Sequence, residues 1–236
     1  MNLFYANPED ILGDSIRIDG QESIHITKVL RHSVGDEIFV TDGIGYRYHC
    51  VIETISKKSV SLSVQKKSFI KPNEQAVSVA IGLIKKRDRL EFAVEKITEL
   101  GAREIFIYVG DHSEKSSLRL DRIESTVISA MKQSLRYTLP KIHYHQSMAQ
   151  LLEEISGNGP VIVGDETEDV DSTEKARTIA AESRGFTLLI GPEGGFSGNE
   201  RNLFKQYNVC LCSLGSHRLR TETAAIIMTD RFIRSA

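Results

Sequence analysis

The sequence predicts two domains, a small β-barrel over residues 1–72 and an α/β domain with a mainly parallel sheet over 73–236. Three observations predict this. Short alternating runs broken by Gly, Asp and Ser turns fill about the first 70 residues. From residue 77 the pattern changes to apolar strand-like runs that alternate with helical stripes. Between the two regimes, KKSFIKPNEQ (66–75) holds Pro72, which opposes continuation of either regular element.

In the first domain the strand candidates are SIRIDG, DEIFVTDG, YRYHCVIETI and SVSLSVQKK. One helical interruption, ESIHITKVLRHSVGD (22–36), sets Ile26, Val29 and Leu30 at helical spacing and ends near Gly35. In the second domain the strand candidates are VSVAIGLI, EIFIYVG, KIHYH, PVIVGD, FTLLIG and VCLCSLG. The clearest helix is RDRLEFAVEKITELG, where Leu90, Val94, Ile97 and Leu100 make one apolar stripe and Gly101 stops it. A second helix is expected in RIESTVISAMKQSLRYTLP, ended by Pro140, and a last one from about Thr221 to Ile233. There is no internal repeat.

Composition narrows the class. With 40% hydrophobic and 26% charged residues in 236, the chain is long enough for a small and a medium core. Its longest apolar stretches, VAIGLI and FTLLIG, fall far short of the ~20 residues that cross a bilayer, so no membrane span is expected. The start, MNLFYANPED, has neither a basic n-region nor an apolar h-region, so no secretory signal is read and a cytoplasmic protein is expected. Cys50, Cys210 and Cys212 are odd in number and lack metal spacing, so buried reduced thiols are expected rather than a disulfide or a zinc site.

The net charge of −2 conceals a segregation. Residues 57–89 carry nine Lys or Arg against Glu74 and Asp88, a local +7 that leaves −9 on the rest of the chain. That stretch, with Lys85, Lys86 and Arg87 at its end, is a candidate phosphate-holding segment. A solvated linker is the blander explanation. His143 and His145 alternate on one strand face, but two ligands without a third favour a sheet-surface pair, and no metal is expected.

In an open α/β sheet the ligand crevice lies beyond the carboxyl ends of the strands. The loops after FTLLIG and VCLCSLG are both unusual there. GPEGGF (191–196) sets three glycines around Pro192 and Glu193, then enters a helix through SGNE, where Ser197 and Glu200 have capping-box spacing. Glycines let backbone groups approach a ligand, and the helix N-terminus favours an acceptor. No GK[ST] follows and the GxGxxG spacing is absent, which excludes a P-loop and a dinucleotide fold. LGSHRLRTETA (214–224) puts His217, Arg218 and Arg220 before a helix capped by Thr221, with Glu222 in its first turn. An acid there is what the helix dipole favours; Arg220 opposes that dipole, which suggests an anionic or carbonyl-rich partner.

These residues resemble the knotted SPOUT methyltransferases, and most closely the RsmE family, which methylates N3 of uridine 1498 in 16S ribosomal RNA. The resemblance runs along nearly the whole chain. HITKVLRHSVGD (25–36) and DGIGYRYHCVI (42–52) are similar to the family's PUA-like barrel, and EKITELGAREI (95–105) and MKQSLRYTLPKI (131–142) to its first catalytic-domain signatures. It implies a SPOUT-type knotted α/β catalytic domain after an N-terminal PUA-like small β-barrel, and a homodimer acting on 16S rRNA in the small ribosomal subunit.

The resemblance further implies that S-adenosyl-L-methionine lies across Ile190, Gly191, Pro192, Glu193, Gly194, Gly195, Leu214, Gly215, Ser216 and Leu219, with Asp165 and Glu166 at a neighbouring strand end. Arg136 and Arg220 are then the expected base-orienting or anion-stabilising groups, and Thr221 or Glu222 the proton acceptor or positioner. Arg31, Lys85, Lys86, Arg87 and Arg136 are the expected RNA contacts. The chain departs from the family at His217, where an arginine is usual, and in lacking an arginine within its first few residues. Two other readings stay open: a knotted methyltransferase acting on a different nucleotide or on ribose 2'-O, and a non-catalytic RNA-binding assembly factor.

Overall fold

The structure is a computed structural model, and it describes residues 2–72, 75–114, 117–166 and 170–233. The Asn73–Glu74 step of the expected linker lies outside the described residues. By contact the chain falls into two units, Met1–Pro72 with Ile128–Leu139, and Asn73–Val127 with Pro140–Ala236.

The first unit is one curled sheet. Its elements are β1 (Leu3–Tyr5), β2 (Ile11–Leu12), β3 (Ser15–Asp19), α1 (Gly20–Ile24), β4 (Glu37–Thr41), β5 (Tyr46–Ile55) and β6 (Ser59–Phe69), in the order β1-β4-β5-β6-β3-β2. Alternation places Ile16, Ile18, Ile38, Val40, Tyr48, Cys50, Ile52, Val60 and Leu62 inside, closed by Phe4 and Ile26. The expected helical interruption is α1 followed by one π-helical turn, His25–Val29, and it ends at Leu30 with Arg31 in the left-handed region (φ 58°). Buried Asp42 ties the β4–β5 hairpin together. It accepts from the Ile44 and Tyr46 amides at 2.9 and 3.2 Å and from the Tyr48 hydroxyl at 3.0 Å.

Residues 134–139 depart from expectation. The helix there does not run on to Pro140: α3 (Leu120–Gln133) stops, Leu135 turns left-handed (φ 56°), and the chain pairs with the β4–β5 turn. The Gly45 amide donates to Tyr137 O at 2.8 Å, the Leu139 amide donates to Gly43 O at 2.7 Å, and Ile44 bridges Thr138. Both glycines have positive φ, and a Cβ on Gly45 would lie 2.7 Å from the Phe69 ring, so glycine is required at that turn. Glu22 anchors the segment by accepting from Lys132 Nζ at 2.6 Å and from the Tyr5 amide at 2.9 Å.

The second unit alternates strand and helix: β7 (Ala76–Gly82), α2 (Arg87–Leu100), β8 (Glu104–Tyr108), β9 (Lys141–His145), α4 (Met148–Ile155), β10 (Val161–Gly164), α5 (Val170–Ala181), β11 (Gly185–Ile190), α6 (Gly198–Gln206), β12 (Cys210–Cys212) and α7 (Thr221–Ile233). Its sheet is parallel throughout, in the order β12-β10-β11-β7-β8-β9. The strands expected from the sequence are present. On α2, Leu90, Val94 and Ile97 are buried, each contributing about 1.5–3 kcal/mol of apolar burial as an upper bound, and Gly101 ends the helix at φ 114°. Among the described residues no helix is long and apolar enough to cross a membrane. Burial pushes the Cys50 thiol up to about 12, consistent with an inert thiol.

His143 and His145 stand on one face of β9, beneath α4 and beside Phe106, whose ring stacks on that of His143 at 4.4 Å. Burial holds the His145 imidazole below its ordinary 6.5, outweighing the Glu154 carboxylate 3.3 Å away. The unfolded chain therefore binds this proton more readily than the folded one. The stability associated with neutral His145 is complete above pH about 6.5 and is lost as pH falls below it. In thermal melts at pH 7.5 and 5.5, H145Q should show a smaller acid-induced drop than the parent protein. Equal drops would remove His145 from the account.

Candidate functional site

Beyond the carboxyl ends of β10, β11 and β12 the second unit forms a cavity of about 570 Å3. That is within the usual range for a small-molecule site. The β11–α6 loop and the β12–α7 loop make its walls. All the residues expected to hold a cofactor line it: Asp165 and Glu166 after β10, Ile190 at the end of β11 with Gly191 to Gly195 after it, and Leu214, Gly215, Ser216 and Leu219 after β12. Arg220 and Thr221 line it as well.

The β11–α6 loop is shaped by its supports. Pro192 is wedged against two strand ends, so that a Cβ on Gly82 would lie 2.4 Å from its nitrogen and one on Gly110 would lie 3.0 Å from its Cγ. The buried Tyr108 hydroxyl donates to Ile190 O at 3.1 Å, and burial holds that phenol well above its usual range. His112 Nδ1 donates to Gly194 O at 3.0 Å. A Cβ on Gly194 would come within 2.6 Å of His112 Cβ. The capping box forms: the Glu200 amide donates to Ser197 Oγ at 3.1 Å and the Ser197 amide donates to Glu200 at 2.8 Å. Buried Glu200 also accepts from the Asp111 amide at 3.2 Å, tying the β8 end to the loop. Glu193 accepts from the Lys85 amide at 3.2 Å.

The second loop is held from behind by Arg231, which donates to Leu214 O at 2.9 Å. Gly215 sits at φ 130°, a conformation that favours glycine. The first helical bond of α7 runs from the Ala224 amide to Arg220 O at 2.8 Å. Arg220, not Thr221, is thus the capping position, and Thr221 is the first helical residue. The Arg220 side chain is exposed at the cavity wall and has no ion pair among the described residues.

Glu222 does not line the cavity. Its side chain is turned inward against α2, where Oε1 lies 3.6 Å from Arg89 Nε and Oε2 has no hydrogen-bond partner among the described residues. With Oε1 turned toward Arg89, Glu222 is placed to support the first turn of α7. Arg136 belongs to the first unit and is not part of the cavity lining. Burial lowers its guanidinium to about 10, which leaves it cationic at neutral pH.

Arg31 is exposed on the barrel, Lys85 and Lys86 are exposed between β7 and α2, and Arg87 is exposed at the start of α2. Lys85 Nζ pairs with Glu114, Arg87 pairs with Glu91 at 3.3 Å, and Lys86 has no ion pair among the described residues. The sequence reading missed Arg201, which lines the cavity and grips the buried Asp165 carboxylate through both terminal nitrogens. A signal existed: Arg201 sits in the first turn of α6, where a cation opposes the helix dipole just as Arg220 does. Phe196, edge-on to Phe204 at 4.8 Å, was also missed. No group of three His, Cys, Asp or Glu converges on a metal position among the described residues.

Comparison with known proteins agrees with this layout. The family profile described as RNA methyltransferase domain matches residues 71–232, and that of the RNA methyltransferase PUA domain matches 18–65. The chain is 30% identical over 222 residues to the ribosomal RNA small subunit methyltransferase E of Bacillus subtilis, covering 89% of this chain and 86% of that protein. The structure of a probable rRNA-methyltransferase from Porphyromonas gingivalis superimposes with a TM-score of 0.84 at 31% identity, covering 98% and 96% of the two chains. The fold is shared too by a ribosomal RNA small subunit methyltransferase E from Neisseria gonorrhoeae bound to S-adenosyl methionine, with a TM-score of 0.85 at 22% identity over 98% and 96% of the chains.

Proposed function

The chain belongs to the RNA methyltransferase family, and from that premise we propose that it transfers a methyl group from S-adenosyl-L-methionine to N3 of uridine 1498 in 16S ribosomal RNA. The observation that carries the reading is the cavity built by the two loops, which every expected cofactor residue lines. Its chemistry suits the cofactor. Ile190, Pro192, Leu214 and Leu219 offer apolar walls for an adenine, the glycines expose backbone donors and acceptors, and the Asp165–Arg201 pair adds a polar wall.

When bound, the cofactor supplies an electrophilic methyl group. The protein's task lies with the nucleophile. Uracil N3 carries a weakly acidic imide proton, and its loss spreads negative charge over O2 and O4. Arg220, at the cavity wall and without an ion pair among the described residues, favours that anion, and Arg136 is a second arginine for the base. Thr221 positions the base by hydrogen bonding. Glu222 and Arg89 hold the first turn of α7 from behind. Residues 1–72 form the RNA-binding barrel and 73–236 the catalytic domain, knotted as in the SPOUT family. The protein works as a homodimer in the cytoplasm on the small ribosomal subunit.

The test is transfer of labelled methyl to small subunits from a strain lacking the gene, with the product nucleoside identified by mass spectrometry. Label at N3 of one 16S uridine is expected. Label elsewhere would point to a different nucleotide, and cofactor binding without any transfer to a wrong substrate. No cofactor binding would favour the assembly factor. In the same assay E222Q should retain transfer while melting ~2–4 °C lower, the effect of ~1 kcal/mol. Full stability with lost transfer would restore Glu222 to the chemistry.

A further inference from the structure

The barrel unit carries a group of side chains that the cavity does not use. Because Ile38, Val40, Tyr48, Cys50 and Ile52 point into the barrel core, Phe39, Arg47 and His49 stand on the outer face of β4 and β5. Register places Phe39 opposite His49 and His49 opposite the exposed Lys66. The Phe39 and His49 rings stack at 5.0 Å and 20°. The Arg47 guanidinium lies 5.8 Å from the Phe39 ring and 5.9 Å from that of Tyr137, in the segment that joins this unit from residues 128–139. Four planar groups thus line up along one half-exposed sheet face.

The charges on this face are one-sided. Glu37, 2.9 Å from His49 Nε2, is the acid that meets the row, while Arg47 and Lys66 have no ion pair among the described residues. Stacked rings interleaved with unneutralised cations suit an unpaired nucleic-acid strand. Its bases stack on rings and guanidinium planes, and its phosphates meet the cations. A duplex keeps its base faces to itself, and an apolar protein partner would leave the cations desolvated and unpaired.

We propose that the outer face of β4, β5 and β6, with Phe39, Arg47, His49 and Lys66 beside Tyr137, binds an unpaired RNA strand. This rests on the reading of the protein as an RNA methyltransferase, and names where RNA away from the target nucleotide is held. Tyr137 directly follows Arg136, so a strand gripped here reaches the segment that carries the second proposed base-orienting cation.

The test uses the full chain and fluorescence anisotropy with a labelled, unstructured RNA of about 12 nucleotides. The variants are F39L, which keeps an apolar side chain over the strand, and the surface pair R47Q with K66Q. Each should weaken binding about fivefold or more, the lower end of one lost stacking contact. The charge pair should also flatten the log–log salt slope by about 1.4, or ~0.7 per lost phosphate contact. Melting temperature and S-adenosylmethionine affinity by calorimetry should not change. Parental affinity in both variants would overturn the proposal, as would an equal loss on duplex RNA of the same length. Normal binding of free RNA with lost binding of small subunits would also overturn it and point to a protein occupant. If the parent binds no cofactor and yet the RNA results hold, the functional reading fails and this surface stands.

Discussion

Replacing Gly82 with alanine should cost S-adenosylmethionine affinity roughly 5- to 150-fold, the equivalent of the ~1–3 kcal/mol that overpacking costs. The added Cβ would lie 2.4 Å from Pro192 N, 2.7 Å from its Cδ and 2.9 Å from Gly191 C. All of these belong to the backbone or to a rigid ring, so no flexible side chain can move aside. Gly82 closes β7, which is held between β11 and β8 in the sheet. The β11–α6 loop must therefore yield, carrying Gly191 to Gly195 away from the cavity. Gly198 is the matched control: a Cβ there meets nothing within 4 Å and its φ is ordinary. G198A should bind cofactor as the parent does, with calorimetry as the readout and circular dichroism to confirm folding. Parental affinity in G82A would mean that the loop adjusts, and that its placement by β7 does not set the affinity.

Gly82 also marks where sequence reading ran out. The two loops were legible because their signals are local: three glycines, a capping box, and an arginine opposing a helix dipole. What supports them is not local. Nothing near Gly82 in the sequence says that Pro192 will press on it from 110 residues away, and Tyr108, Asp111 and His112 reach the loop only because β8 lies beside β7. The direction of Glu222 was illegible for a related reason. Capping explains an acid in the first turn of α7, whereas the packing of α7 against α2 decides that it faces Arg89.

The barrel offers the same contrast. Its alternating strands were readable, but the parallel pairing of β1 with β4 and the capture of residues 134–139 depend on contacts between distant segments. The helical pattern of RIESTVISAMKQ is broken at Leu135, a non-glycine residue in the left-handed region, where the sequence carries no breaker before Pro140. By contrast α4 was readable in principle. Met148, Leu151, Leu152 and Ile155 make a buried stripe behind the Ser147 cap, and only its short length of eight residues hid it.

Replacing Arg220 with alanine should lower the maximal transfer rate about 100- to 1000-fold, the usual cost of removing one preorganised donor to a developing anion. Cofactor affinity should hold within a few-fold, because the two loops and the Asp165–Arg201 pair that line the cavity are left in place by the substitution. Three features of Arg220 support so large an effect. It lines the cavity, it has no carboxylate partner among the described residues, and its main chain caps α7 while its side chain remains exposed. A cation held at a helix N-terminus without a partner is disfavoured in the free protein, and an anion forming on the uracil ring relieves that cost during the reaction. The pH profile separates this role from simple positioning. If Arg220 favours the imide anion, the deficit of R220A should shrink as pH rises and solvent removes the proton unaided. A deficit constant across pH would make Arg220 a positioning group, and an undiminished rate would shift the anion-stabilising role to Arg136.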